Sequence, residues 1–228
     1  MATPLPKKHS MSALKSKILQ PSLTSHYEVY FTPPSAVSSY LKSQSGITVS
    51  GEETEDKITV PCSEASLPGS RYATHELKDD YTGITQKHAY RRLYDDSINF
   101  TFYVDAQEYY IIRYIEGWMG YIMQENLAVS GNGTVPNVDG NNYSHRMAFP
   151  RSYYASEMSV TKFERDYNIQ SGKLIYNFKD AFPLGLTAMP VSYDSSQLMK
   201  CTVEFQFSRY VVNRDKNGGT KKQVTITV

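Results

Sequence analysis

Cysteine is nearly absent: the 228 residues hold only Cys62 and Cys201, with no CxxC spacing. That excludes a disulfide scaffold and a thiolate zinc site, and makes a reducing compartment the simpler expectation. Long apolar runs are missing too. Nothing approaches about 18 consecutive apolar residues, and the opening MATPLPKKHSMSALKSKILQ lacks the apolar stretch of a secretory leader. The expectation is a chain made and kept in a cytoplasm. Neither sign of charge dominates: 24 Lys and Arg stand against 23 Asp and Glu, a formal net charge of +1, so no global field collects a polyanion.

Chemistry-bearing motifs are equally scarce. His9, His26, His75, His88 and His145 show no ligand spacing such as HxxxH, no serine sits in a GxSxG elbow, and no glycine-rich phosphate loop appears. No metal, cofactor or catalytic site is expected. Asp79–Asp80 and Asp95–Asp96 read as turn residues, because adjacent strand residues point to opposite faces and nothing apolar surrounds them to shift a pKa. Arg91–Arg92 and Lys221–Lys222 lack the interleaved aromatics of a single-strand nucleic-acid platform and read as solvated. Both cysteines lie in or beside strand patterns, where a buried thiol acts as a small hydrophobe.

What the chain has in excess is tyrosine, 19 residues against a single Trp. Tyr favours strands and suits surfaces that are half buried or meet a partner. The length fits one core with insertions. Alternation marks strands at HYEVYF (26–31), INFTFYV (98–104), SEMSVTKFERD (156–166), GKLIYNF (172–178) and CTVEFQFSRYVV (201–212). In the last, Cys201, Val203, Phe205 and Phe207 are expected to face the core, and Thr202, Glu204, Gln206 and Ser208 to face away. Asp105 and Glu108 have the spacing of a capping pair, and Ile111, Ile115, Trp118 and Ile122, with Ile112 and Met119 beside them, form a helical stripe reaching about Gln124. That predicts one main helix, with Gly117 and Gly120 permitting close packing.

Between these elements the pattern is polar. Residues 1–25 read as an arm or a disordered terminus, with at most one or two helical turns near Leu14, Ile18 and Leu19. Residues 38–57 read mostly as loop before KITVPC resumes extended structure, with a turn at Pro68–Gly69. Residues 71–96 read as a long polar hairpin around the turn region 79–83, too polar to bury much against its own core. Residues 125–146, with three Gly and five Asn, read as an exposed insertion. A last segment, 213–228, carries an Asn217–Gly218 turn signal before VTITV, as an added hairpin would. Projections that expose backbone favour self-association.

Three stretches, in this order, resemble one family: PCSEASLPGSRYATHELK, DDSINFTFYVDAQEYYIIRYIEGWM and IYNFKDAFPLGLTAMPVSYDSSQLMKCTVEFQFSRYVV. The x-Leu-Pro-Gly turn, the strand–Asp–helix unit with Trp118 and the F-P-x6-P-V-S-Y-D run ending at Asp194 are similar to the tail tube proteins of contractile-tailed, T4-like bacteriophages over about residues 20–212. The resemblance implies a mainly β domain at 26–212, a β-sandwich or rolled barrel with one flanking helix and a protruding hairpin. It implies a structural virion protein, not an enzyme, without cofactors. Six copies would form a ring, and rings would stack into the inner tube or its baseplate-proximal start. Phage DNA would pass through without sequence-specific binding, and no membrane would be involved. Glu204, Gln206 and Ser208 become candidate channel-lining residues, in a lumen neutral to acidic. Leu77, Tyr81, Ile84 and Tyr90 become candidates on an arm lying over a neighbour. Other tube or baseplate hub proteins would be partners, and assembly would take place in the host cytoplasm. The competing expectation is a β-sandwich module of a phage fibre that binds carbohydrate or peptide through a Tyr-rich face.

Overall fold

The structure, a computed structural model, describes residues 22–49, 55–78, 83–123, 147–164, 173–194 and 197–215. In chain order its elements are β1 (Tyr27–Thr32), α1 (Ser35–Ser45), a π-helical turn (Glu55–Thr59), β2 (Cys62–Ala65), β3 (Ser70–Leu77), β4 (Gln86–Tyr94), β5 (Ser97–Tyr103), α2 (Tyr110–Met123), α3 (Pro150–Tyr153), β6 (Glu157–Lys162), β7 (Lys173–Lys179), β8 (Phe182–Leu186), β9 (Lys200–Gln206) and β10 (Arg209–Asp215). They build two four-stranded antiparallel sheets, ordered β1-β6-β7-β10 and β2-β5-β9-β8, and a separate ribbon β3-β4. The predicted N-terminal arm, except residues 22–25, lies outside the described residues. So do the 125–146 insertion and everything after Asp215.

The core forms where the inner faces of the two sheets meet. Alternation puts Val29 and Phe31 of β1, Phe100 and Phe102 of β5, and Val203 and Phe205 of β9 fully inside. Phe31 lies 5.0 Å from Phe205 and 6.2 Å from Phe102, ring centre to ring centre. The Ile111–Ile115–Trp118–Ile122 stripe of α2 is buried as its spacing predicts, and the helix covers this cluster, with Tyr114 5.9 Å from Phe31 and Trp118 6.2 Å from Phe205. Trp118 keeps its polar end satisfied by donating Nε1–H to Tyr153 O at 2.9 Å.

Several expectations are corrected. Residues 38–57 are not mostly loop, because α1 runs through SAVSSYLKSQS. Val37 and Leu41, four apart, are buried, Tyr40 meets Tyr121 of α2 edge-on, and Gly46 ends the helix in the left-handed region at φ 64°. The apolar pair was outweighed in the sequence by surrounding serines. KITV is not extended, since the π-helical turn occupies it and buries Ile58. Asp105 does accept backbone N–H groups, from Gln107 (3.3 Å) and Glu108 (3.0 Å), but they belong to a turn before the helix. Tyr109 then takes a positive φ of 50°, so α2 starts at Tyr110, and Glu108 pairs with Lys57 Nζ at 2.7 Å instead of reaching back.

The pattern 201–212 is two strands rather than one. The chain leaves the β2-β5-β9-β8 sheet after Gln206, bends at Phe207–Ser208 and enters the other sheet as β10. Ser208 N–H donates to Lys179 O at 3.0 Å, and Phe207 packs 4.9 Å from Phe178, so both apolar faces stay buried through the switch. The prolyl run before it holds β8, at the end of its sheet. Its register shifts between Pro183 and Gly185, at the kind of position where a strand tolerates a residue without N–H.

Candidate assembly surfaces

Three surfaces lack an intramolecular reason for their composition. The first is the outward face of β5 and β9. The register sets Ser97 against Gln206, Asn99 against Glu204, Thr101 against Thr202 and Tyr103 against Lys200. These are the positions between buried Phe100, Phe102, Val203 and Phe205. The Thr101 and Thr202 hydroxyls pair at 3.1 Å, and Lys200 lies over the Tyr103 ring at 5.2 Å. Glu64 of β2 joins opposite Thr101. The face is a polar ladder in which the ionised side chains are Glu64, Glu204 and Lys200. Glu204 and Gln206 therefore stand together on it as the alternation predicts. Ser208 does not share the strand, being exposed in the bend beyond it.

The second surface is the β3-β4 ribbon, called the arm below. Its register runs from Ser70–Tyr94 to Leu77–Gln86, with a shift between Ala73 and Thr74. Alternation gives it two unlike faces. His75, Leu77, His88 and Tyr90 share one. Glu76, Lys78 and Lys87 share the other, where Glu76 pairs with Lys87 at 2.9 Å and Lys78 at 3.6 Å. Hydrogen bonding from Lys87 holds the Glu76 carboxyl below its ordinary range. Leu77, Ile84 and Tyr90 are exposed, Tyr90 to 71%, and Leu77 and Tyr90 line one shallow concavity with Thr74, His75 and His88. Tyr81 lies outside the described residues.

The root of the arm joins the ribbon to the body through Arg92, Tyr94, Asp95 and Gly69. Arg92, expected to be solvated, lies over Tyr94 (4.9 Å) and Tyr210 of β10 (5.8 Å) and donates to Ser70 Oγ at 3.0 Å. Tyr94 meets Tyr210 edge-on at 5.2 Å. Asp95 accepts the Gly69 N–H with its carboxylate and returns its own N–H to Gly69 O at 3.2 Å. A Cβ at Gly69 would come within 3.1 Å of that carboxylate, which explains the glycine of the Leu-Pro-Gly turn. The third surface, also unforeseen, is the connection between β8 and β9 at 187–194 and 197–199, where Val191, Tyr193 and Leu198 are largely exposed. Apolar loop residues without periodicity carry no signal that a sequence pattern detects.

Among the described residues no three His, Cys, Asp or Glu side chains gather where they could hold a metal. Burial pushes the Cys62 and Cys201 thiols up to about 11, opposite to what a nucleophile needs. Burial likewise pushes Tyr27 up to about 12, while its hydroxyl donates to Cys62 O at 3.1 Å. No helix among the described residues is long and apolar enough to cross a membrane.

A family model for phage tail tube proteins matches residues 22–213, nearly the whole described fold. The chain belongs to the phage tail tube protein family. It is a structural protein of the tail tube or contractile injection system kind and not an enzyme, and the fibre-module expectation gives way to the tube one. Among solved structures, a chain of the anti-feeding prophage baseplate, a 6-fold symmetrised cryo-EM structure, is similar with TM-score 0.52 at 9% identity. That likeness covers 85% of this chain and 96% of the other, and it shows a shared fold. A chain of the sheath-tube complex of an extracellular contractile injection system, PVC, in its extended state gives 0.49 at 11% identity, covering 91% and 100%. Hcp protein gives 0.41 at 13%, covering 86% and 96%. No curated protein matches the sequence.

Proposed function

We propose that this tail tube protein closes into sixfold rings that stack into the inner tube of a contractile tail, or into the baseplate-proximal rings on which that tube starts. Phage DNA passes through the lumen in transit. The observation that carries the reading is the outward ladder of β5 and β9, a face whose centre is Asn99, Thr101, Thr202, Glu204 and Gln206. A conduit for DNA has to be wet and only weakly attractive, because a row of Lys or Arg releases counterions and holds phosphates. The ladder meets that condition, with Glu204 and Gln206 facing the channel and Ser208 following at the bend.

Ring closure also accounts for the ends of the sheets. Strands β1, β10, β2 and β8 are end strands, and joining sheets between copies removes such edges while symmetry sets the register. The 6-fold symmetrised baseplate of the similar prophage chain supports the symmetry. The apolar side of the arm, with Leu77, Ile84 and Tyr90, rests on a neighbouring copy, and other tube or baseplate hub proteins cap the stack. Assembly takes place in the host cytoplasm. Sedimentation of the purified chain tests the ring: a species six times the 25.9 kDa chain mass is expected, and a well-defined trimer contradicts it. Glu204→Lys tests the lumen. It should leave folding within about 0.5 kcal/mol yet slow DNA ejection from assembled particles, and unchanged ejection would place Glu204 elsewhere.

A further inference from the structure

We propose that His75 and His88 form a binding site for a divalent transition-metal ion on the arm. The two histidines are thirteen positions apart, which is why no spacing motif reveals them, but the register sets them directly opposite each other on β3 and β4. Cβ atoms of a directly opposed pair are about 4.5–5.5 Å apart and their side chains leave the sheet on one side. Both imidazoles line the same concavity, with Thr74, Leu77 and Tyr90 around them. One ion at about 2.0–2.1 Å from a nitrogen of each ring is within reach of that spacing by side-chain rotation alone.

Lys78 and Lys87 lie on the opposite face, each paired with Glu76, and Arg92 is stacked over Tyr94 and Tyr210. His88 Nε2 lies 3.3 Å from Gln86 Oε1. With the proton on Nε2 donated to that oxygen, Nδ1 keeps its lone pair for the metal, the arrangement by which outer partners orient a ligating ring. No third His, Cys, Asp or Glu joins the pair among the described residues, so water completes the coordination. Imidazole pairs of this kind suit copper, nickel and zinc rather than magnesium or calcium. A two-stranded ribbon is marginal on its own, and an ion bridging its strands staples the arm.

The test uses the full chain without a histidine tag and Zn²⁺ alone as the probe, by titration calorimetry at neutral pH. Saturable binding of one ion per chain is expected. Either His75→Ala or His88→Ala removes the second, intramolecular ligand and should weaken binding by about a hundredfold. Because these side chains are exposed on the ribbon, circular dichroism should show both variants folded. Amide exchange gives a second readout: Zn²⁺ should slow exchange in residues 72–77 and 86–91 of the wild type and not of the variants. Binding that is equal in wild type and the His75→Ala/His88→Ala double variant, or that is lost only on replacing His26, overturns the proposal.

Discussion

Replacing Tyr94 by Ala should loosen the arm from the body of the protein. The side chain is half buried and sits where the ribbon joins, edge-on to Tyr210 at 5.2 Å and beneath the Arg92 guanidinium at 4.9 Å. The edge-on pair is worth about 0.5–1.5 kcal/mol beyond its area. The stacked guanidinium adds about 0.5–1 kcal/mol at this level of exposure. Returning the half-buried ring to water costs about 1–2 kcal/mol more. Together they predict a loss of about 2–4.5 kcal/mol, measured by urea denaturation with the single, fully buried Trp118 as fluorescent probe. Tyr210→Ala and the double variant complete a cycle whose coupling should be about 1 kcal/mol. The same variant should let trypsin cut after Lys78 and Lys87 faster, since the ribbon then has little but its own pairing to keep it closed. A coupling below about 0.3 kcal/mol, or arm cleavage unchanged from wild type, would refute the idea that this stack fixes the arm.

Three further outcomes follow from the interior. Phe205→Ala removes the ring that meets Phe31, Phe100 and Trp118 at 5.0, 5.8 and 6.2 Å, joining both sheets to α2. It should cost about 3–5 kcal/mol in the same denaturation assay, whereas a loss under 1.5 kcal/mol would mean that the two sheets do not depend on it. The Tyr114 hydroxyl is buried without a hydrogen-bond partner among the described residues, and burial raises its pKa well above the ordinary tyrosine value. Tyr114→Phe should leave stability unchanged or raise it by up to about 1 kcal/mol; a clear drop would reveal a partner for that oxygen. Cys62 and Cys201, pushed up to about 11, hold only about one thiolate in a thousand at pH 8. Alkylation by iodoacetamide should therefore be slow in the folded chain and fast in urea, with rates rising as the pH climbs toward 11.

The strands were legible wherever one face is buried and the other is not, as in INFTFYV and the first half of CTVEFQFSRYVV, because period-two alternation is a direct imprint of a sheet face. The α2 stripe was legible for the same reason at period 3.6. Where an element buries only two or three side chains the imprint fades: α1 shows Val37 and Leu41 among serines, and β8 carries a proline. The switch between β9 and β10 was hidden by its own economy. Phe207 and Tyr210 are buried on both sides of the bend, so the sequence continues to look like one strand while the backbone changes sheets. On the assembly surfaces, the outward ladder followed from alternation, but the Arg92–Tyr94–Tyr210 stack and the His75–His88 pair depend on long-range register, to which local pattern is blind. Arg91–Arg92 looked like a solvated doublet because only one of its members, Arg92, has a ring to stack on from another sheet.

The central claim is that a polar sheet face and an amphipathic arm exist to build a ring around a channel. Negative-stain electron microscopy of the purified full-length protein, with two-dimensional class averages, addresses it most directly. Sixfold annuli are the predicted result, with unlimited stacking identifying a tube subunit and isolated rings a baseplate ring. Well-defined trimers with no central channel would contradict the account.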